Sequence, residues 1–103
     1  MIFKNDYERI WWWIFMGSKG GITRAKIMKE ILKTPLNTNQ LAERLNLNYK
    51  TVEHHLNILM ENKLIETPMG HRYGALYYPT QLVILKKDII EKILREVLEN
   101  EVR

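Results

Sequence analysis

Apolar residues along this chain recur at helical spacing over most of its length, and glycine, proline or asparagine marks each break. The pattern predicts a first helix over Asp6 to Met16, rich in aromatic residues (Tyr7, Trp11, Trp12, Trp13, Phe15) and capped by Asn5 or Asp6. Gly17, Ser18, Gly20 and Gly21 break it. A second helix is expected from Thr23 as its N-cap, with Ile27, Met28, Ile31 and Leu32 on one face. Pro35 closes it, because the residue before a proline avoids helical backbone. Pro35-Leu36-Asn37 then reads as a short extended link.

Asn37 followed three residues later by Gln40 is a capping-box pattern, and it opens a third helix with Leu41, Ala42 and Leu45 inward. Asn46-Leu47-Asn48 reads as a tight turn. A fourth helix is expected from about Tyr49 to Asn62 with Asn48 as N-cap. Val52, His55, Leu56 and Leu59 form its buried stripe, leaving Lys50, Glu53, His54, Asn57 and Glu61 for solvent or a partner. Leu64 to Thr67 and Ala75 to Tyr78 predict two short strands joined by a turn over 68–74, with Pro79 ending the second. Residues 81–103 are helix-like, with a broad stripe from Leu82 to Leu98; Asp88 could cap a second start, so one helix or two stays open.

Two helices joined by a three-residue turn and followed at once by a hairpin make a helix-turn-helix with a wing. The expected fold is α+β, mainly α: a winged helix-turn-helix with additional N- and C-terminal helices. In such a unit the first turn of the fourth helix faces the major groove. Lys50 is suited to a phosphate or guanine, the Tyr49 hydroxyl to a phosphate, and Thr51 to a phosphate or a thymine methyl. His54 and Asn57 lie farther along the same face, and asparagine suits adenine. His71 and Arg72 at the wing tip are placed for the backbone or minor groove. Lys19, Arg24, Thr38 and Asn39 are expected to extend this DNA-facing set.

Charge sharpens this picture. Residues 1–80 hold 11 basic and 7 acidic side chains, whereas 81–103 hold 5 and 5, so the whole excess of +4 lies on the body and none on the tail. A polyanion-binding body with a separate packing element fits that split. Cysteine is absent, which removes disulfides, thiolate metal sites and cysteine nucleophiles, and fits a reducing cytoplasm. The longest apolar run, Ile10 to Met16, is too short to span a bilayer. His54 and His55 point about 100° apart on a helix and do not suggest a shared metal ion. No catalytic constellation and no cofactor are implied.

The quoted segments also carry a resemblance. Gly20-Gly21-Ile22-Thr23-Arg24, Asn37 to Leu45, Tyr49 to Leu56 and Tyr73-Gly74-Ala75-Leu76-Tyr77 closely resemble archaeal winged helix-turn-helix regulators of the ArsR-like group, over about residues 17–79. The resemblance implies a transcription regulator that binds duplex DNA as a dimer, with the fourth helix as reader. Metal-sensing members use cysteine-rich sites, so metal sensing does not carry over. Residues 1–16 and 80–103 are expected to build the homodimer around this domain, through Trp11, Trp12, Leu82, Leu85, Ile89, Ile93 and Val97. One helix cannot bury Trp11, Trp12 and Trp13 in one core, so at least one should face a partner or solvent. The alternatives are a winged helix that holds another protein, and a ligand-responsive sensor with a site at the aromatic interface.

Overall fold

A computed structural model describes residues 6–102. Asn5, one of the two expected caps, lies outside the described residues. The elements are α1 (Asp6–Trp12), a π-helical turn (Trp13–Gly17), α2 (Gly21–Lys33), α3 (Thr38–Leu45), α4 (Tyr49–Glu61), β1 (Ile65–Glu66), β2 (Tyr78–Pro79), α5 (Gln81–Leu85) and α6 (Lys87–Val102). The tail is therefore two helices. Thr80 caps the first by accepting from the Val83 N–H at 3.2 Å, and the break falls at Lys86.

The local signals act as their chemistry requires. Asn37 accepts from the Gln40 N–H at 2.8 Å while the Gln40 side chain accepts from the Asn37 N–H at 2.9 Å, which closes the capping box. Asn46 sits in the left-handed region at φ 54°, which lets the chain reverse within three residues. Asn48 caps α4 by accepting from the Lys50 N–H at 2.7 Å. The start of α2 differs from expectation, because its N-cap is Gly20 and not Thr23. Gly20 has φ +82°, and a Cβ there would lie 2.8 Å from His55 Cε1, so both backbone and space favour glycine. Gly21 follows so closely on the preceding segment that a Cβ would lie 2.4 Å from the Phe15 carbonyl oxygen.

The wing is looser than a simple hairpin. Ile65 pairs with Pro79 and Glu66 with Tyr78, antiparallel, so the ladder sits nearer the base than the expected return over Ala75 to Tyr78. Proline can end such a strand, since no N–H is needed from it there. Tyr77 turns away from β1 and donates its N–H to the Leu36 carbonyl at 2.9 Å, tying the wing to the link before α3.

One hydrophobic core runs through the helices, the π-helical turn and β1, with Tyr77 joining it from just before β2. It corrects the expectation that the flanking segments offer their stripes to a partner. Trp11, Trp12, Ile93 and Val97 are buried within their own chain. The reason is geometric: α6 lies across α2, the π-helical turn and α1, and those elements would otherwise leave an apolar face in water. Leu82 and Ile89 are half-buried, and Leu85 stays 69% exposed. At the other end Trp11, Ile14 and Phe15 point inward at i, i+3, i+4 spacing with Trp12 beside them, whereas Trp13 is 62% exposed, flanked at i−3 and i+3 by exposed Ile10 and Met16. The three tryptophans thus divide as a helix demands. Among the described residues no helix is long and apolar enough to cross a membrane.

This packing makes a contrast that unfolding measurements can read. Ile93→Ala should cost about 2–5 kcal/mol, because it opens a cavity in the shared core, while Leu85→Ala should stay within about 0.5 kcal/mol. Equal, small shifts of the urea midpoint for both variants would contradict the placement of α6.

Candidate nucleic-acid interface

The helix pair α3–α4 presents one polar surface. Val52, His55, Leu56 and Leu59 point into the core, and Lys50, Thr51, His54 and Asn57 stand exposed on the other side of α4. Lys50 Nζ lies 3.5 Å from Glu53 Oε1, so the half-buried carboxylate that faces this surface is balanced by its own neighbour. Such exposed pairs are weak and can be exchanged for a phosphate.

The wing is fastened beside this surface by side chains. Tyr73 stacks on Tyr49, the first residue of α4, with ring centroids 6.4 Å apart and planes at 20°. Its hydroxyl accepts from Asn39 Nδ2 on α3 at 2.7 Å. Tyr77 is buried, and its hydroxyl lies 2.7 Å from His71 Nδ1. Burial raises the Tyr77 phenol above its ordinary value, and a hydrogen bond with Thr38 works in the opposite direction. Thr38, Asn39 and Tyr49 therefore each touch the wing or hold it, and His71 braces Tyr77 from within the wing. Thr38 is buried, so it meets the wing tyrosine and leaves little surface for DNA. The sequence pattern pointed to the cations at the wing tip and not to Tyr73 and Tyr77 as the residues that fasten it. A tyrosine four residues before another in a glycine-bounded turn was the available signal.

Arg24 corrects the expected DNA-facing set. It is 3% exposed, and its guanidinium points inward. Nε donates to the Ile14 carbonyl at 3.1 Å, Nη1 to His55 Nδ1 at 3.2 Å, and Nη2 to the Lys19 carbonyl at 2.9 Å and to Ser18 Oγ. The Ile14 carbonyl lacks its usual backbone partner because the π-helical turn passes the Ser18 N–H on to Trp13 at 2.9 Å, and it accepts instead from Arg24 and from the Ser18 hydroxyl at 3.1 Å. Lys19 itself keeps an exposed side chain at the glycine turn, and Arg72 is exposed at the wing tip.

An arginine has only donors, so His55 must accept through Nδ1 and carry its proton on Nε2. A second proton would place a cation against Arg24. Burial, then Arg24, then His54 hold the His55 pKa down at about 4, against the ordinary 6.5. His54 and His55 have ring centroids 5.3 Å apart, one facing out and the other in.

Residues 22–67, which hold α2, the helix pair and β1, match the family model described as bacterial regulatory protein, arsR family. The match supports an ArsR-like, DNA-binding regulator. No curated protein matches the chain. Among solved structures, reduced HlyU from Vibrio cholerae N16961 superposes with a TM-score of 0.63 at 22% identity, covering 85% of this chain and 86% of that one. A second HlyU structure from the same organism gives 0.62 at 21%, covering 91% and 96%. At these identities the likeness carries the winged-helix fold. The matched segment includes every residue of the α4 face, and it ends just before the wing loop over 68–74.

The bond between His55 and Arg24 has a definite pH signature. The folded pKa of His55 lies below the unfolded one, so between about pH 6.5 and 4 the unfolded chain takes up a proton that the folded chain refuses. This part of the stability is complete above pH 6.5 and is lost as pH falls toward 4, amounting to about 3 kcal/mol. His55→Gln keeps an acceptor and cannot titrate, so its unfolding free energy should fall less steeply over that window. Parallel curves for parent and variant would contradict the neutral, Arg24-bound histidine.

Proposed function

We propose that this protein is a sequence-specific, duplex-DNA-binding transcription regulator that acts as a homodimer in the cytoplasm. The α4 helix enters the major groove, and the wing over 68–74 rests on the adjacent backbone or minor groove. The observation that carries the reading is the α4 face: Lys50, Thr51, His54 and Asn57 stand exposed in line, beside a wing held to the same helix. The body's positive charge supplies attraction that does not depend on sequence.

The roles within this surface follow from chemistry. Lys50, Arg72 and Lys19 meet phosphates, Thr51 meets a phosphate or a thymine methyl, and Asn57 reads a base edge, with His54 between. For the homodimer, the exposed stripe of Ile10, Trp13 and Met16, together with Leu85, Leu82 and Ile89, provides surface for a second copy. Two-fold pairing sets two reading helices about 34 Å apart along one duplex face. No reacting group or cofactor enters this function.

Selection from a random duplex pool, followed by salt titration on the selected site, tests the whole reading. It should return a palindrome with half-sites about one helical turn apart. Lys50→Ala and Arg72→Ala should each weaken binding and flatten the salt slope by about one unit for every phosphate that is no longer neutralised. Enrichment of no sequence, with slopes that both variants leave unchanged, would refute it.

A further inference from the structure

The way Tyr73 meets the helix pair suggests more than wing attachment. Tyr73 is 79% exposed, so its ring adds almost nothing to the core. It nevertheless makes two directed interactions with two different helices, the stack on Tyr49 and the hydrogen bond from Asn39. Asn39 is the second residue of α3 and Tyr49 the first of α4, so the three side chains meet where both helices begin.

The hydrogen-bond arithmetic of the phenol is informative. Its oxygen is occupied by accepting from Asn39, which leaves its own proton to donate. Among the described residues neither that proton nor the Tyr49 hydroxyl has a hydrogen-bond partner. Two stacked phenols thus offer O–H donors next to the exposed α4 face. A phosphodiester offers acceptors and no donors, which is the complement this pair requires. Arg72, adjacent in sequence and exposed, supplies charge alongside.

We propose that Tyr73 is a positioning residue of the duplex-binding surface, locked by Asn39 and Tyr49 so that the wing meets the duplex at a fixed place and the freed phenol proton binds a backbone phosphate. This rests on the duplex-binding reading above. It places a neutral donor between the reading helix and the charged wing tip, and gives Asn39 a role in aiming the wing.

The test is equilibrium binding of the full chain to one duplex, across a salt series, for the parent and for Tyr73→Phe, Tyr73→Ala and Asn39→Ala. Phosphate-ethylation interference maps where the protein touches the backbone. Tyr73→Phe keeps the stack and loses both the donor to phosphate and the acceptor for Asn39, so affinity should fall about five- to tenfold. The salt slope should not change, because no charge is removed. Tyr73→Ala should bind more weakly still, and interference beneath the wing should spread or vanish. Asn39→Ala keeps the phenol donor and loses only the lock, so it should weaken binding less than Tyr73→Phe, and the double variant Tyr73→Phe/Asn39→Ala should bind no more weakly than Tyr73→Phe. A parent that binds duplex, with Tyr73→Phe and Tyr73→Ala both within twofold of it, would overturn this inference alone. A loss confined to Tyr73→Ala would leave only a structural ring and overturn the phosphate bond. A parent that binds no duplex would overturn the duplex-binding reading itself.

Discussion

Arg24 brings a permanent positive charge into a site nearly closed to water, and the dipoles around it must stand in for water. Its acceptors are all neutral: two backbone carbonyls, a serine hydroxyl and an imidazole. They come from the π-helical turn and the glycine loop that follows it, and from α4, where His55 lies 31 positions from Arg24. One rigid, planar group therefore fixes how the aromatic N-terminal segment sits on the reading helix. Much of the local irregularity follows from it. The π-helical turn leaves the Ile14 carbonyl to Arg24, Gly20 leaves room for the His55 ring, and His55 stays neutral because a cation is already present.

The tether bears on function through α4. His55 and Val52 share the inner side of that helix, so holding His55 fixes the helix's rotation. Rotation decides which residues stand exposed, and here Lys50, Thr51, His54 and Asn57 do. The wing is fixed to the other end of the same unit, by Tyr73 on Tyr49 and by Tyr77 against Leu36 and Thr38. The exposed surface is then set from both sides, by a buried cation beneath and by aromatic packing above. That rigidity suits a surface proposed to meet duplex DNA, whose grooves have fixed dimensions.

Most of the architecture was legible in local patterns, since the deciding forces there are local. Asn37 with Gln40, the left-handed Asn46 and the Asn48 cap each act within a few residues, and the buried stripe of α4 follows from helical period alone. The departures share a different cause. Arg24 reads as one more basic residue of a surface helix, and only its three-dimensional neighbours show that it points inward. Trp11, Trp12, Ile93 and Val97 read as surplus apolar surface, because a periodic pattern says that a face must be covered and not by what. The cover proved to be the same chain folded back across α2. The role of Tyr73 was hidden for the same reason, as its partners lie 24 and 34 positions away.

Arg24 is a structural cation and not part of the exposed α4 surface. The urea midpoint of Arg24→Gln at pH 7 tests it most directly. Glutamine removes the charge and most of the donors while keeping some polarity. The midpoint should fall by the equivalent of about 2–4 kcal/mol, because several buried acceptors lose their partner at once. A midpoint within about 0.5 kcal/mol of the parent's, as expected of a solvent-facing arginine, would contradict it.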